Sequence, residues 1–374
     1  MLVFRPSGRK PNIDFSVDNN IIEVVTSYKY LGVTISSSGS FQNGIEELSL
    51  KGQKAWYMLR SSVSVDTLNN PRLYMKLFDT LITPIITYGA EVWSQQYCTL
   101  IEKSNVHSYD RICYEKLHNK VCKQIIGLGK FTSNLAARIE LGQVPTSYIV
   151  IRRTLNYWSK LESVQPASQC LVSEKELCAA NVNSWYSTVQ QMLRHVNVDV
   201  TALPTAPTNK WCRQQSVQVN DYYHNLQSEQ LQSQIGVSGV GKNKLRTYSK
   251  LTPRSSQGIE DYLICDLTWK QKRLIAQLRT GNHKLRIETG RHCKPSLPPE
   301  QRVCLHCNAA CTEDEKHFLA ECNAYSEIRK KYLPCEPDST VDFVNCMTSK
   351  DCESLNNLSQ YLQEAWELRA GMDQ

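Results

Sequence analysis

The amino-acid sequence predicts a mainly α chain that opens with a small β element and closes with a compact cysteine-histidine module, an α+β class. Three observations carry this reading. Up to about residue 36, short alternating apolar runs are broken by turn residues; from Phe41 onward, apolar residues recur at helical spacing. Near the C terminus, Cys304, Cys307, His317 and Cys322 form a C-x2-C-x9-H-x4-C array. No internal repeat of the period that builds solenoids is present.

Strands are expected at Leu2–Arg5, Ile13–Val17, Ile21–Val25 and Tyr28–Ser36. They are punctuated by Pro6-Ser7-Gly8, by Asn19-Asn20 and by the serine and glycine turn at Ser37–Ser40, and together they read as a meander. Ile45, Leu48, Ala55, Trp56, Leu59 and Val63 then share one helical face. A second helical stretch runs from Pro71 to Trp93; Pro71 suits a first turn, whereas Pro84 should kink or split the segment. Further helices are expected at about 101–127, 133–141, 147–164, 170–180, 184–196 and 211–233. Trp56, Trp93 and Trp158 fall at apolar helical positions, where core packing outweighs base stacking. Asp199–Lys210, with Pro204 and Pro207, is the best linker, and Ser233–Gly241 a weaker one. The last helix sets Leu355, Leu358, Leu362, Ala365 and Trp366 on one face.

At 374 residues the chain should hold two or three units with ample buried cores. Its 15 cysteines are odd in number and spread along the chain, and residues 1–30 lack the pattern of a secretory leader. A reducing compartment, nuclear or cytoplasmic, is therefore expected, with thiols free or metal-bound. The longest uncharged apolar stretch, Thr80–Ala90, falls short of the roughly 20 residues that cross a bilayer and is interrupted by Pro84. No membrane association is expected.

Three thiolates and one imidazole match the ligand number and softness that tetrahedral Zn²⁺ requires, and the short spacing within each pair lets a knuckle or a helix turn grip one ion. The array therefore predicts a closed, structural zinc site. Cys311 and His306 lie inside it, so either could replace one of the four ligands. His306 is the weaker rival, because a residue between two close cysteines normally points away from the shared metal.

The segment before the array is basic. Lys270, Lys272, Arg273, Arg279, Lys284, Arg286, Arg291, Lys294 and Arg302 face only Glu288 and Glu300, a local balance equal to the whole chain's net charge of +7. Such a run beside a zinc module suits a phosphate backbone, since Lys and Arg displace condensed counterions. The competing reading is a solvated helix face, with Leu274, Ile275 and Leu278 on its buried side.

Four stretches, taken in order, resemble the C-terminal portion of a non-LTR (LINE-like) retrotransposon reverse transcriptase. Residues 1–34, ending SYKYLGVT, resemble the closing strands of the palm, where Tyr28, Tyr30 and Gly32 would lie near the primer end. RLYMKLFDTLITPIITYGAEVW at 72–93 is similar to the thumb helices. CKQIIGLGKFTSNLAARIELGQ at 122–143 and HKLRIETGRH at 283–292 look like the connector. The array at 304–322, followed by Tyr325 and Arg329, resembles the terminal zinc knuckle of these elements. The resemblance implies a partial palm-like element at 1–40, helical thumb and connector at 41–198, a linker at 199–210, a helical basic connector at 211–300, and zinc knuckle with C-terminal helices at 301–374. It also implies RNA or DNA as partner and no small-molecule substrate.

Two-metal phosphoryl transfer needs clustered carboxylates, which the family carries on a palm hairpin upstream of the point matching Met1. The chain has no Asp-Asp pair, and Asp14, Asp18 and Glu23 are isolated in alternating strands. Glu46 and Glu47 are adjacent but fall on a helix, away from the family's catalytic position. No G-x-S-x-G elbow or phosphate-loop motif is present, and no stretch resembles the family's endonuclease. The expectation is therefore a truncated retroelement product that binds zinc and nucleic acid without being an enzyme. The alternatives are a zinc-stabilised helical interaction protein or inert remnant, and a part of a longer, active RNA-directed DNA polymerase.

Overall fold

The computed structural model describes residues 1–4, 14–94, 110–164, 168–199, 207–233, 245–252, 258–333 and 341–372. It is mainly helical, with two small antiparallel ladders at the N-terminal end. The turn at Pro6–Gly8, the helix start at 101–109, most of the proposed linker and the Gly-rich stretch at 234–241 lie outside the described residues.

Strands β1 (Phe15–Val17) and β2 (Asn20–Ile22) pair in register Val17↔Asn20, and the two-residue turn between them holds Asp18 and Asn19 at φ 49° and 63°. Asp and Asn tolerate this left-handed geometry, which matches the twist of the flanking strands. The expected single strand Tyr28–Ser36 is instead a second hairpin, β3 (Ser27–Tyr30) with β4 (Val33–Ser36). Its turn residues Leu31 and Gly32 have φ 46° and 88°, so the chain reverses in two residues. Alternation alone could not reveal the reversal, because Gly32 was the only turn residue in the run. Leu2 makes a single parallel bridge to Val25 rather than leading a strand.

Two compact units are present, and each is built from separated stretches of chain. The first comprises Met1–Ser61, Leu77–His118 and Pro145–Tyr223; the second comprises Ser62–Lys76, Asn119–Val144 and His224–Gln374. The linker proposed at 199–210 falls within the first unit, where Pro207 is buried and its carbonyl accepts the Ser159 hydroxyl at 2.7 Å. One of the breaks between the units falls between Tyr223 and His224, inside the helix Asn209–Ser233.

In the first unit the helix Gln42–Ser62 buries Ile45, Leu48 and Trp56. Gly52 sits on this face so close to Ile86 that a Cβ would come within 2.2 Å of its side chain. Trp56 meets Phe78 edge-on, and Phe78 stacks on His118. Trp93 packs on Tyr114, and Trp158 lies between Tyr186 and Trp211. All three tryptophans predicted to be core are buried.

The stretch 71–93 is split, as Pro84 requires. After the helix Pro71–Leu77, the turn Phe78–Ile82 widens to π geometry, with the Thr83 N–H reaching back to the Phe78 carbonyl. Pro84 offers no N–H to the carbonyl one turn back, and a π turn absorbs the missing donor. Helix Ser147–Ser163 is capped from a distance: the buried Glu115 carboxylate accepts the N–H groups of Thr146 and Ser147 and the Ser147 hydroxyl.

In the second unit, the C-terminal helix Cys352–Met372 buries Leu355, Leu358, Leu362 and Ala365, as their spacing predicts. It packs against the helix Trp269–Arg279. Cys265 and Cys352 form a disulfide with their Cα atoms 5.6 Å apart. This corrects the expectation that every thiol is free or metal-bound: residues 87 positions apart meet only once both helices pack. Among the described residues, no helix is long and apolar enough to cross a membrane.

Candidate metal centre

The array folds back on itself through one antiparallel bridge, Val303↔Thr312, with the Cys304 N–H bonded to the Cys311 carbonyl at 2.9 Å. This closes the loop carrying Cys304 and Cys307. His317 opens a five-residue π turn, His317–Glu321, which ends when the Cys322 N–H bonds to the His317 carbonyl at 2.8 Å. A five-residue step on an ordinary α-helix would splay its two ends by well over a right angle. The wider turn, followed by extended backbone at Cys322, brings imidazole and thiol to the same point.

The four predicted ligands converge. One donor atom from each of Cys304, Cys307, His317 and Cys322 lies within 4.8 Å of all the others. Cys304 and Cys322 sulfurs are 3.9 Å apart, and Cys307 Sγ is 3.5 Å from His317 Nε2. A tetrahedral zinc ion with ordinary bond lengths sets edges of about 3.8 Å between two sulfurs and about 3.5 Å between sulfur and nitrogen. The donor set therefore fits zinc in chemistry and in spacing. His306 contributes its backbone N–H to Cys304 Sγ at 3.4 Å, a contact that steadies a thiolate. Cys311 Sγ lies beside the His317 imidazole, 3.1 Å from Nδ1 and 3.7 Å from Nε2, but outside the four-donor cluster.

Burial pushes the Cys322 thiol up to about 12, and the neighbouring Cys304 adds to the shift. Without an ion the thiol stays neutral; a bound metal would deprotonate its thiol ligands.

Buried carboxylates inside the array tie it to the rest of the second unit. Glu313 accepts the Arg286 backbone N–H at 2.7 Å and the Arg369 guanidinium from the C-terminal helix. Glu315 accepts Arg246 at 2.7 Å, Thr247 at 2.9 Å and His283 at 2.9 Å. Burial by itself would raise the Glu315 carboxyl, but the His283 hydrogen bond and charge and the Arg246 charge outweigh it and hold the group at about 2. Arg329 donates to the carbonyls of Leu319 and Cys322, steadying the turn that carries two ligands. Phe318 packs between Tyr325 and Trp366, and its carbonyl accepts the Tyr361 hydroxyl at 2.6 Å. No motif marks Glu313 or Glu315, because a run of acids reads as a solvated face until its cationic partners are located.

The predicted basic surface divides. Lys270, Arg273, Lys284 and Lys294 are exposed, and Arg286 and Arg291 are half-buried, the latter paired with Glu288 at 3.1 Å. Lys272 and Arg279 are buried and do not reach solvent. Lys272 donates to the Asn69 carbonyl at 3.1 Å, and Arg279 binds Glu140 at 3.0 Å and Glu260 at 2.9 Å. Arg302 is buried too, bonded to the carbonyls of Ile287 and Leu297. A charge count cannot see this, since it cannot tell a solvated cation from one that organises buried carbonyls and carboxylates. Tyr28 and Tyr30 are exposed on β3, and Gly32 forms the adjoining turn.

Neither a family model, nor a curated protein, nor a solved structure matches the chain.

Proposed function

We propose that this chain is a zinc-stabilised nucleic-acid-binding module of the kind that closes non-LTR retrotransposon reverse transcriptases, acting by binding rather than by catalysis. The observation that carries the metal half is the convergence of Cys304, Cys307, His317 and Cys322, whose donor atoms lie within 4.8 Å of one another, with two of the separations at 3.9 and 3.5 Å matching edges of a zinc tetrahedron. The ion would serve as a structural cross-link. The nucleic-acid half rests on the order of palm-like, thumb-like, connector and knuckle segments, and on the exposed cations Lys270, Arg273, Lys284 and Lys294. If these four contact phosphates, the logarithm of affinity for a single strand should fall with the logarithm of salt at a slope of about −3. Titration of the zinc-loaded protein with a labelled RNA oligonucleotide over a range of salt tests this. Affinity that ignores salt would overturn it.

A second reading, a zinc-stabilised helical interaction protein, is favoured by one observation: Lys272, Arg279 and Arg302 are consumed by the core. Absence of RNA and DNA binding in a protein that still holds one zinc would favour it.

A further inference from the structure

The loop between the helices Cys113–Ile125 and Asn134–Glu140 carries a feature that neither the metal centre nor the charge run explains. Gly129, Lys130 and Phe131 are consecutive and exposed. At 77 % exposure, Phe131 is the most exposed large hydrophobic side chain among the described residues.

The loop is firmly held. Leu128 N–H bonds to the Lys123 carbonyl at 2.8 Å and Thr132 N–H to the Gly129 carbonyl at 3.0 Å. The buried Lys123 ammonium donates to the Lys130 carbonyl at 3.0 Å, and the Gln277 amide donates to the Gly127 carbonyl at 3.4 Å. Trp269 anchors the same place through its indole N–H, bonded to the Ile125 carbonyl at 3.1 Å. Gly127, at φ +70°, is pressed so close that a Cβ would come within 2.8 Å of the Arg273 side chain and 2.9 Å of the Trp269 ring. The Arg273 guanidinium lies 5.5 Å from the centre of that indole, and the Lys130 ammonium 4.7 Å from the centre of the Phe131 ring. One cation–aromatic pair thus lies on this turn and another on the first turn of the helix packed against it, where Lys270 is also exposed. Neither the stretch Val121–Asn134 nor the stretch Trp269–Lys284 contains an acidic residue.

We propose that loop 127–132, with Trp269 and Arg273, is a stacking platform for single-stranded nucleic acid. A base lies on the Phe131 ring while Lys130, Arg273 and Lys270 take neighbouring phosphates. Every base offers a π face, so the platform tolerates sequence, and its exposed cations Lys130, Lys270 and Arg273 suit a polyanion. The assignment rests on the nucleic-acid reading above, shares Lys270 and Arg273 with it, and adds Lys130 and Phe131, which that reading does not use.

The test uses the full chain loaded with zinc, a labelled 12-nucleotide oligouridylate, and inorganic polyphosphate as a probe that carries charge but no bases. Phe131→Ala should weaken oligonucleotide binding about 5- to 100-fold, leave its salt slope unchanged, and leave polyphosphate binding unchanged. Phe131→Tyr should restore affinity. Lys130→Ala with Arg273→Ala should make the salt slope shallower by about 1.4 and weaken both ligands. Wild-type protein that binds no oligonucleotide overturns both this assignment and the proposed function. Oligonucleotide binding that survives Phe131→Ala and the double variant overturns the platform alone. Equal loss of oligonucleotide and polyphosphate in Phe131→Ala would mean that the ring supports the fold, and would also overturn it.

Discussion

Cys311 and Cys307 both lie beside His317, yet the geometry gives them different work. Cys307 Sγ is 3.5 Å from Nε2 within the four-donor cluster, whereas Cys311 Sγ, 3.1 Å from Nδ1 and 3.7 Å from Nε2, lies outside it. Cys307→Ser should abolish stoichiometric zinc. Cys311→Ser should retain one zinc per chain, with affinity lowered by no more than about 10- to 100-fold, the usual cost of losing a group that orients a ligand. Metal content after dialysis and competition with a chelator distinguish the two; the reverse pattern would reassign the ligand. Glu315 is a residue of equal weight that binds no metal. Glu315→Gln leaves Arg246 and His283 facing a neutral partner in the interior, and should lower stability by about 3 kcal/mol in a urea titration.

Among elements, the segment 302–333 would depend most on a bound ion. Its regular structure consists of one β bridge, a π turn and short helices, none able to stand alone. Chelation should therefore raise amide exchange across 302–333 while sparing the helices of the first unit, because metal binding and local folding are one equilibrium. The elements carrying Glu315 and Glu260 respond oppositely to pH. Glu315 is held at about 2 against an ordinary 4.5, so its contribution of about 3 kcal/mol is present above pH 4.5 and lost as pH falls from there towards 2. Glu260 is raised to about 7, first by burial and then by the charge of Glu140. The folded state holds its proton more tightly than the unfolded chain, so its contribution is complete below pH 4.5 and declines as pH rises through 7. Glu260→Gln should flatten the stability profile between pH 4.5 and 7, and chemical denaturation at a series of pH values would show whether it does.

Across the whole molecule, the Cys265–Cys352 disulfide closes a long loop around the helix Trp269–Arg279, the metal centre and the start of the C-terminal helix. With 87 residues of separation, the entropy removed from the unfolded chain corresponds to about 4–5 kcal/mol, before any strain is subtracted. Reduction by a dithiol, or Cys265→Ser, should lower the denaturation midpoint of the second unit accordingly. An unchanged midpoint, measured with zinc retained, would show that packing between the two helices holds this region without the cross-link.

Whatever depends on neighbours in the chain was legible beforehand. The shift to helical spacing at Phe41, the split imposed by Pro84, the buried tryptophans and the apolar face from Leu355 to Ala365 are local, because backbone geometry and side-chain period act over a few residues. The convergence of Cys304, Cys307, His317 and Cys322 belongs with them, since paired spacings of soft donors mark a candidate site before it folds. Tertiary structure alone decided the fate of charge and the division of the chain. Lys272, Arg279 and Arg302 count as surface cations in the sequence and become buried donors in the fold, while Glu313 and Glu315, which no sequence motif marks, are buried anchors of the cysteine-histidine segment. Each depends on a partner far away in sequence, such as Glu140 for Arg279 or Arg369 for Glu313. Electrostatic burial is a property of the assembled neighbourhood, and no window of sequence contains it.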